Sequence, residues 1–305
     1  MKFVAFLPLI FCALANAEVI PSTPPNPVVD DSARADAPLV VTLPRRFNLS
    51  NIDHEDYYFT QLVLLALEKT RSTHGPFEIA EHSEWLSDNR LKASIKRGLV
   101  SVAWFNSSEA LEKELVPVRF SLLRDLASYR LLLIRTGDQQ RFSQVKSLED
   151  LRQFTGGMGS QWADADIMRA NELPLVSSIG FTRLFRMLAA GRFDYFSRGV
   201  YQINREAQIY RDLGITIEQE LMLYYPSAYY FFVAPENTAL ADRLLEGLQK
   251  AEADGSFQVL FLSIPRHQWA LAELEKNQRR VITLEARPLT HAPSASTTIE
   301  TVDSL

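Results

Sequence analysis

The chain has 305 residues, 47% hydrophobic and 23% charged, with a formal net charge of −5 at pH 7, which is enough apolar material for two lobes or one large domain. An acidic balance with no basic stripe interleaved with aromatics argues against nucleic acid as a partner. Cys12 is the only cysteine and lies in a segment expected to be removed, so disulfides, thiolate catalysis and cysteine-held metals are excluded together.

Lys2, the apolar run Phe3 to Leu14 and Ala15-Asn16-Ala17 spell a secretory signal with a small-x-small cleavage site. The run falls short of the ~20 residues a membrane span needs, so a cleaved signal over 1–17 and a periplasmic location are expected. Bulky Phe11 before Cys12 argues against lipidation. Residues 18–37, rich in proline, serine and aspartate, read as a disordered linker.

Leu39 to Leu43 is the first strand expected, followed by a helix from about Asp53 to Lys69 with acidic residues in its first turn. A strand at Phe77 to Glu81, a helix from Ser87 to Arg97 closed by Gly98, and a strand through Leu99 to Phe105 continue the alternation, which implies a mainly parallel sheet. Arg130 to Arg135 and Leu221 to Val233 read as two crossings between lobes. Ser147-Leu148-Glu149-Asp150 forms a capping box and leads into Gly156-Gly157-Met158-Gly159, where glycines admit a close approach. A helix opened by Asp164 and Asp166 suits the positive end of a helix dipole. Another carries Phe181, Leu184, Phe185 and Leu188 on one face and ends at Gly191. Phe193 to Phe196 is a short strand, and Leu240 to Asp254 is an amphipathic helix. The Pro, Ser and Thr content of 287–305 predicts a disordered tail.

The phrases Ser147-Leu148-Glu149-Asp150-Leu151 and Leu188-Ala189-Ala190-Gly191-Arg192-Phe193-Asp194 resemble the second lobe of the family 3 extracellular solute-binding proteins, and the likeness can be followed from about Val40 to Phe261. The resemblance implies an α/β, two-lobed periplasmic-binding-protein-like fold of type II, each lobe a mainly parallel sheet flanked by helices. It places lobe 1 at 38–135 plus 225–286 and lobe 2 at 136–224. It further implies capture of a small polar solute in the cleft, presented to a membrane permease or sensor. No cofactor is implied.

The family's recognition set is altered. Asn106-Ser107-Ser108-Glu109-Ala110 follows the strand where a threonine and, three residues on, a carboxylate-gripping arginine are usual. Ser107 can replace the first, and Ala110 cannot replace the fork of a guanidinium. Ser197-Arg198-Gly199 stands where an aspartate for an ammonium is usual, so Arg198 points to an anionic or carboxylated solute. Ser160, Gln161 and Trp162 follow the glycine strand and should face the cleft beside helix amides. Asn106 and Trp104, with Phe105, form a candidate wall in lobe 1, and Arg46, beside Arg45, lies where a ligand approaches. Tyr224, Tyr225, Tyr229 and Tyr230 suit either a wet rim or a packed hinge.

Catalytic motifs are missing from the sequence. The five histidines show no HExxH spacing, and there is no GxSxG elbow or Walker loop. Asp164 and Asp166 diverge by about 200° on a helix. Neither a catalytic residue nor a metal site is assigned. The rival readings are an interaction or regulatory module of the envelope that keeps the fold without solute binding, and an envelope enzyme.

Overall fold

The structure is a computed structural model that describes residues 37–45, 52 and 54–286. The signal 1–17, all of the linker but Ala37, Arg46 and the tail 287–305 lie outside the described residues.

Among the described residues, three sheets carry the chain. In lobe 1, β1 (Leu39–Leu43) pairs in parallel with β2 (Phe77–Glu81), and β3 (Ala103–Asn106) and β4 (Val116–Val118) flank β11 (Tyr229–Val233). In lobe 2, the order is β12 (Arg280–Thr283), β10 (Leu221–Tyr224), β5 (Tyr129–Arg135), β8 (Tyr195–Gly199), β6 (Gly156–Gly159) and β7 (Leu175–Ser178), with β9 (Ile215–Ile217) also on β5. Strands β6, β7 and β8 are parallel, as are β10 and β12. Every antiparallel pair in these sheets involves β5 or β11. Each is the first strand after the chain passes from one sheet to the other, so a parallel α/β plan is interrupted only at those passages.

The longer helices are α1 (Glu55–Lys69), α2 (Asp88–Lys96), α3 (Ala163–Ala170), α4 (Phe181–Ala189), α5 (Val200–Ile209), α6 (Thr238–Ala253), α7 (Ser256–Ser263) and α8 (Pro265–Glu275). The capping box forms as expected: Ser147 accepts from the Asp150 amide, and Asp150 accepts from the Ser147 amide. It opens only a single turn, Leu148–Leu151. Strand β3 begins at Ala103 rather than Leu99, and the expected return crossing is two strands, β10 and β11, separated by Tyr225 to Ala228.

The segment 225–286 contributes to two sheets, β11 to the three-stranded one and β12 to the seven-stranded one. After α7, helix α8 packs against α5 of lobe 2, and β12 then pairs with β10 from Leu221↔Arg280 to Tyr224↔Thr283. The chain thus traverses the molecule a third time. The cause is local: Leu221 and Leu223 bury on one face of β10 together with Ile282 and Leu284, which gives β12 an apolar seat.

The lobe 1 core around α1 holds a buried histidine. His267 lies edge-on to Tyr58 at 4.5 Å and beside Phe261 at 4.6 Å, and its Nε2 has no hydrogen-bond partner. Burial, with the positive charge of Arg266 adding to it, pushes its pKa down to about 3 from 6.5, against a bond from Nδ1 to the Phe261 carbonyl that works the other way. Between those two values the unfolded chain binds the proton and the folded chain does not, so stability falls as pH drops from about 6.5 toward 3. The loss should reach about 2 kcal/mol by pH 5 from this residue. Urea unfolding at pH 7 and pH 5 should show a smaller pH difference in His267→Phe than in the parent. Equal differences would remove His267 as the source.

Candidate functional site

Strands β6, β7 and β8 end side by side and feed directly into α3, α4 and α5, whose N-caps, Trp162, Gly180 and Gly199, make no side-chain cap bond. The carboxyl edge of a parallel sheet, lined by helix N-termini, is where open α/β folds take ligands. The glycines of β6 do bring something close, and it is the protein's own rings. A Cβ on Gly157 would fall 2.2 Å from Phe193, and one on Gly159 would fall 2.4 Å from the Trp162 indole.

Asp164, in the first turn of α3, is the centre of the edge. It is 8% exposed and accepts from Arg130 Nε at 2.9 Å, from the Tyr225 hydroxyl at 2.5 Å and from Asn106 Nδ2 at 3.2 Å. Burial pushes its carboxyl up, and the Arg130 charge with the Tyr225 bond outweighs that, so it stays ionised below the usual carboxylate range. Arg130 is raised as well, because Tyr225 and Asp164 outweigh the burial that would lower it. Burial drives the Tyr225 phenol well up, so it acts as a donor at any working pH. Asn106 ends β3 of the three-stranded sheet and Asp164 opens α3 after β6 of the seven-stranded one, so this bond ties the ends of two sheets together. Nearby, the Ser128 hydroxyl donates to the Ser227 carbonyl and accepts from the Ser227 amide at 3.2 Å, lacing the two crossings together.

The expected site residues divide into those that meet here and those that do not. Asn106 reaches the centre and also accepts from the Ser227 hydroxyl at 3.4 Å. Trp162 is half-buried and lies 16° from parallel with Phe196. Ser160 and Gln161 are exposed beside it, Ser160 bonded by its amide to the Ser178 carbonyl at 3.0 Å. Ser107 turns into lobe 1 and donates to Glu112 at 2.5 Å. Trp104 is core: its indole donates to Asp56 at 2.9 Å and its ring stacks on Phe59 at 5.4 Å. Arg198 is buried, and Glu206 takes its Nε at 2.7 Å and its Nη2 at 2.5 Å. This pairing removes the unbalanced positive charge on which an anionic solute was expected. Arg130, Asp164 and Glu206 are not among the expected recognition residues, since capping explains Asp164 and a crossing strand explains Arg130, while Tyr225, open between a wet rim and a packed hinge, proves fully buried. The one available signal was charge inside the apolar strand beginning at Arg130.

Two grooves lie away from this edge. One, about 520 Å³, is lined by Leu64, Leu65, Phe77, Val259 and Leu260 on lobe 1. The other, about 510 Å³, lies between α5, β9 and α8 and includes Asn204, Gln208, Arg211, Trp269 and Lys276. Among the described residues no group of three or more His, Cys, Asp or Glu could hold a metal ion, and no helix is long and apolar enough to cross a membrane.

No family model matches the sequence, and no curated protein matches it. Solved structures do. An ancestral arginine-binding protein bound to arginine aligns with a TM-score of 0.54 at 15% identity, over 76% of this chain and 99% of that one. The chain has the two-lobed periplasmic-binding-protein-like fold. A histidine kinase sensor domain with similarity to periplasmic binding proteins gives 0.54 at 16% identity, over 76% and 97%. An ancestral amino-acid-binding protein, a precursor of cyclohexadienyl dehydratase, gives 0.54 at 10%, over 77% and 96%. In this frame, Asp164 follows β6, Arg198 lies in β8 and Asn106 ends β3.

Proposed function

We propose that the chain is a periplasmic solute-binding module that holds a small polar solute between its lobes and presents it to a membrane transporter or sensor, without breaking bonds in it. The observation that carries this reading is the meeting of Asn106 from one lobe with Asp164 from the other, at the edge where three uncapped helices begin. Polar groups from both lobes converge there, which is what trapping of a ligand by hinge closure requires. The signal-like N-terminus supports the compartment. The named charges at the edge balance, Arg130 against Asp164 and Arg198 against Glu206, so a solute with no net charge, zwitterionic or neutral, fits better than an anion.

The same pairing favours a second reading, an interaction or regulatory module of the envelope that keeps the fold: the charges that would grip a solute already grip each other. A thermal-shift screen of the chain from Glu18 with amino acids, organic acids, sugars and small peptides separates the two. A solute at about a hundred times its dissociation constant adds about 2.7 kcal/mol, which raises the midpoint by several degrees. The expected hit is a zwitterion or neutral polar molecule. A flat response across the panel overturns solute binding and supports the interaction module.

A further inference from the structure

Arg198 sits at the end of β8 with its guanidinium carbon 4.8 Å from the centre of the Trp162 ring, 5.1 Å from Phe196 and 5.3 Å from Phe181. Glu206 closes the remaining side with two bonds to one guanidinium. The side chains of the two partners are 8% and 9% exposed. Three rings and a forked carboxylate are the groups by which proteins grip a guanidinium, combining cation–π attraction with a bidentate charge-assisted pair. Side chains that merely neutralise one another do not need such an enclosure. Gly159 is part of the same construction, because any larger residue there would collide with the indole.

We propose that Trp162, Phe181, Phe196 and Glu206 form a guanidinium site at the ligand edge of lobe 2, and that the chain fills this site with its own Arg198. The arginine is then an internal ligand. It fixes the rings and the first turns of α5 without a solute, and it shuts the edge to guanidinium compounds from outside. Phe181 is 39% exposed, so the cage has an open side through which a small guanidinium compound can enter when the side chain is removed. The site stands on these contacts alone, whichever solute the cleft accepts.

Chemical rescue tests this. Arg198→Ala should melt several degrees below the parent, and millimolar guanidinium chloride, far below denaturing levels, should raise its midpoint and shift its tryptophan fluorescence. Urea, a neutral molecule of the same shape, and matched sodium chloride should do neither. The parent and Arg198→Lys, whose cages are already filled, should not gain stability. Adding Glu206→Gln to Arg198→Ala should weaken the guanidinium response at least tenfold, since one charged acceptor is lost. Should Arg198→Ala fail to accumulate folded, Arg198→Gln, shorter and uncharged, is read by the same titration. A folded variant that ignores guanidinium, or that responds equally to urea or salt, overturns the proposal.

Discussion

Asp164→Ala should cost roughly 3–5 kcal/mol of stability, because it strands the buried guanidinium of Arg130 with no counter-charge. The side chain of Arg130 is 3% exposed, and its other bonds run to the backbone carbonyls of Ala127 and Tyr129, which cannot neutralise it. The Tyr225 hydroxyl and the Asn106 amide lose their acceptor in the same step. The cost therefore belongs mainly to the partners left behind. Removing them as well, with Arg130→Met and Tyr225→Phe added to Asp164→Ala, should recover at least half of the loss, since an apolar replacement of a buried pair is often neutral. Urea unfolding of the single and triple variants measures both numbers. A single-variant cost under about 1 kcal/mol would mean that the cluster is well hydrated and not the buried hub described above.

Gly247→Ala should be nearly as damaging, against the ordinary trend. In an exposed helix this change stabilises by up to about 1 kcal/mol. Here Gly247 lies where α6 crosses α1, and a Cβ would stand 2.0 Å from the carbonyl oxygen of Ala66 and 2.6 Å from its carbon. That obstacle is backbone in the middle of a helix and cannot rotate aside, so the two helices must part. Leu62, Ala66, Leu244 and Leu248, all fully buried, lose packing together. A loss at or above the ~3 kcal/mol end of overpacking costs is expected, read as a fall in midpoint by calorimetry. An unchanged or raised midpoint would show that α1 and α6 slide apart at no cost.

Local signals were the legible part of this chain. Alternation and flanking turns marked β1 and β2 at their observed ends, and the Ser147 to Asp150 capping box is a four-residue device that needs no tertiary partner. Helix α6 was visible from its one apolar face. Strand β12 was not, because Arg280 to Thr283 is too short to show a period and has only β10 to pair with. The same limit hid the hub of the site. Asp164 meets Arg130 and Tyr225 across sequence separations of 34 and 61 residues, and each has a sufficient local explanation as a cap, a strand end or a hinge aromatic. Arg198, inside β8, was singled out for its charge, and that charge is already matched by Glu206, eight residues on, which looked like an ordinary helix residue. Resemblance pointed to the two-lobed fold, and only folded geometry showed which of the expected charges were already matched.

The third traverse of the chain bears on how the molecule can be made. The central strand of the small sheet is β11, and the outermost strand of the large one is β12, so the lobe that begins near Leu39 waits for residues 229–233 and the lobe that begins near Tyr129 waits for 280–283. Helix α1 likewise waits for α6 and α7. Neither half can finish while the chain is still growing. Pairings this distant in sequence fold slowly, since loop closure must precede the contacts that reward it. The outer edge of β10 stays open during that interval. A nascent chain of this design can pair β5 to β10 early, but it lacks the centre of its three-stranded sheet until its last quarter has been synthesised.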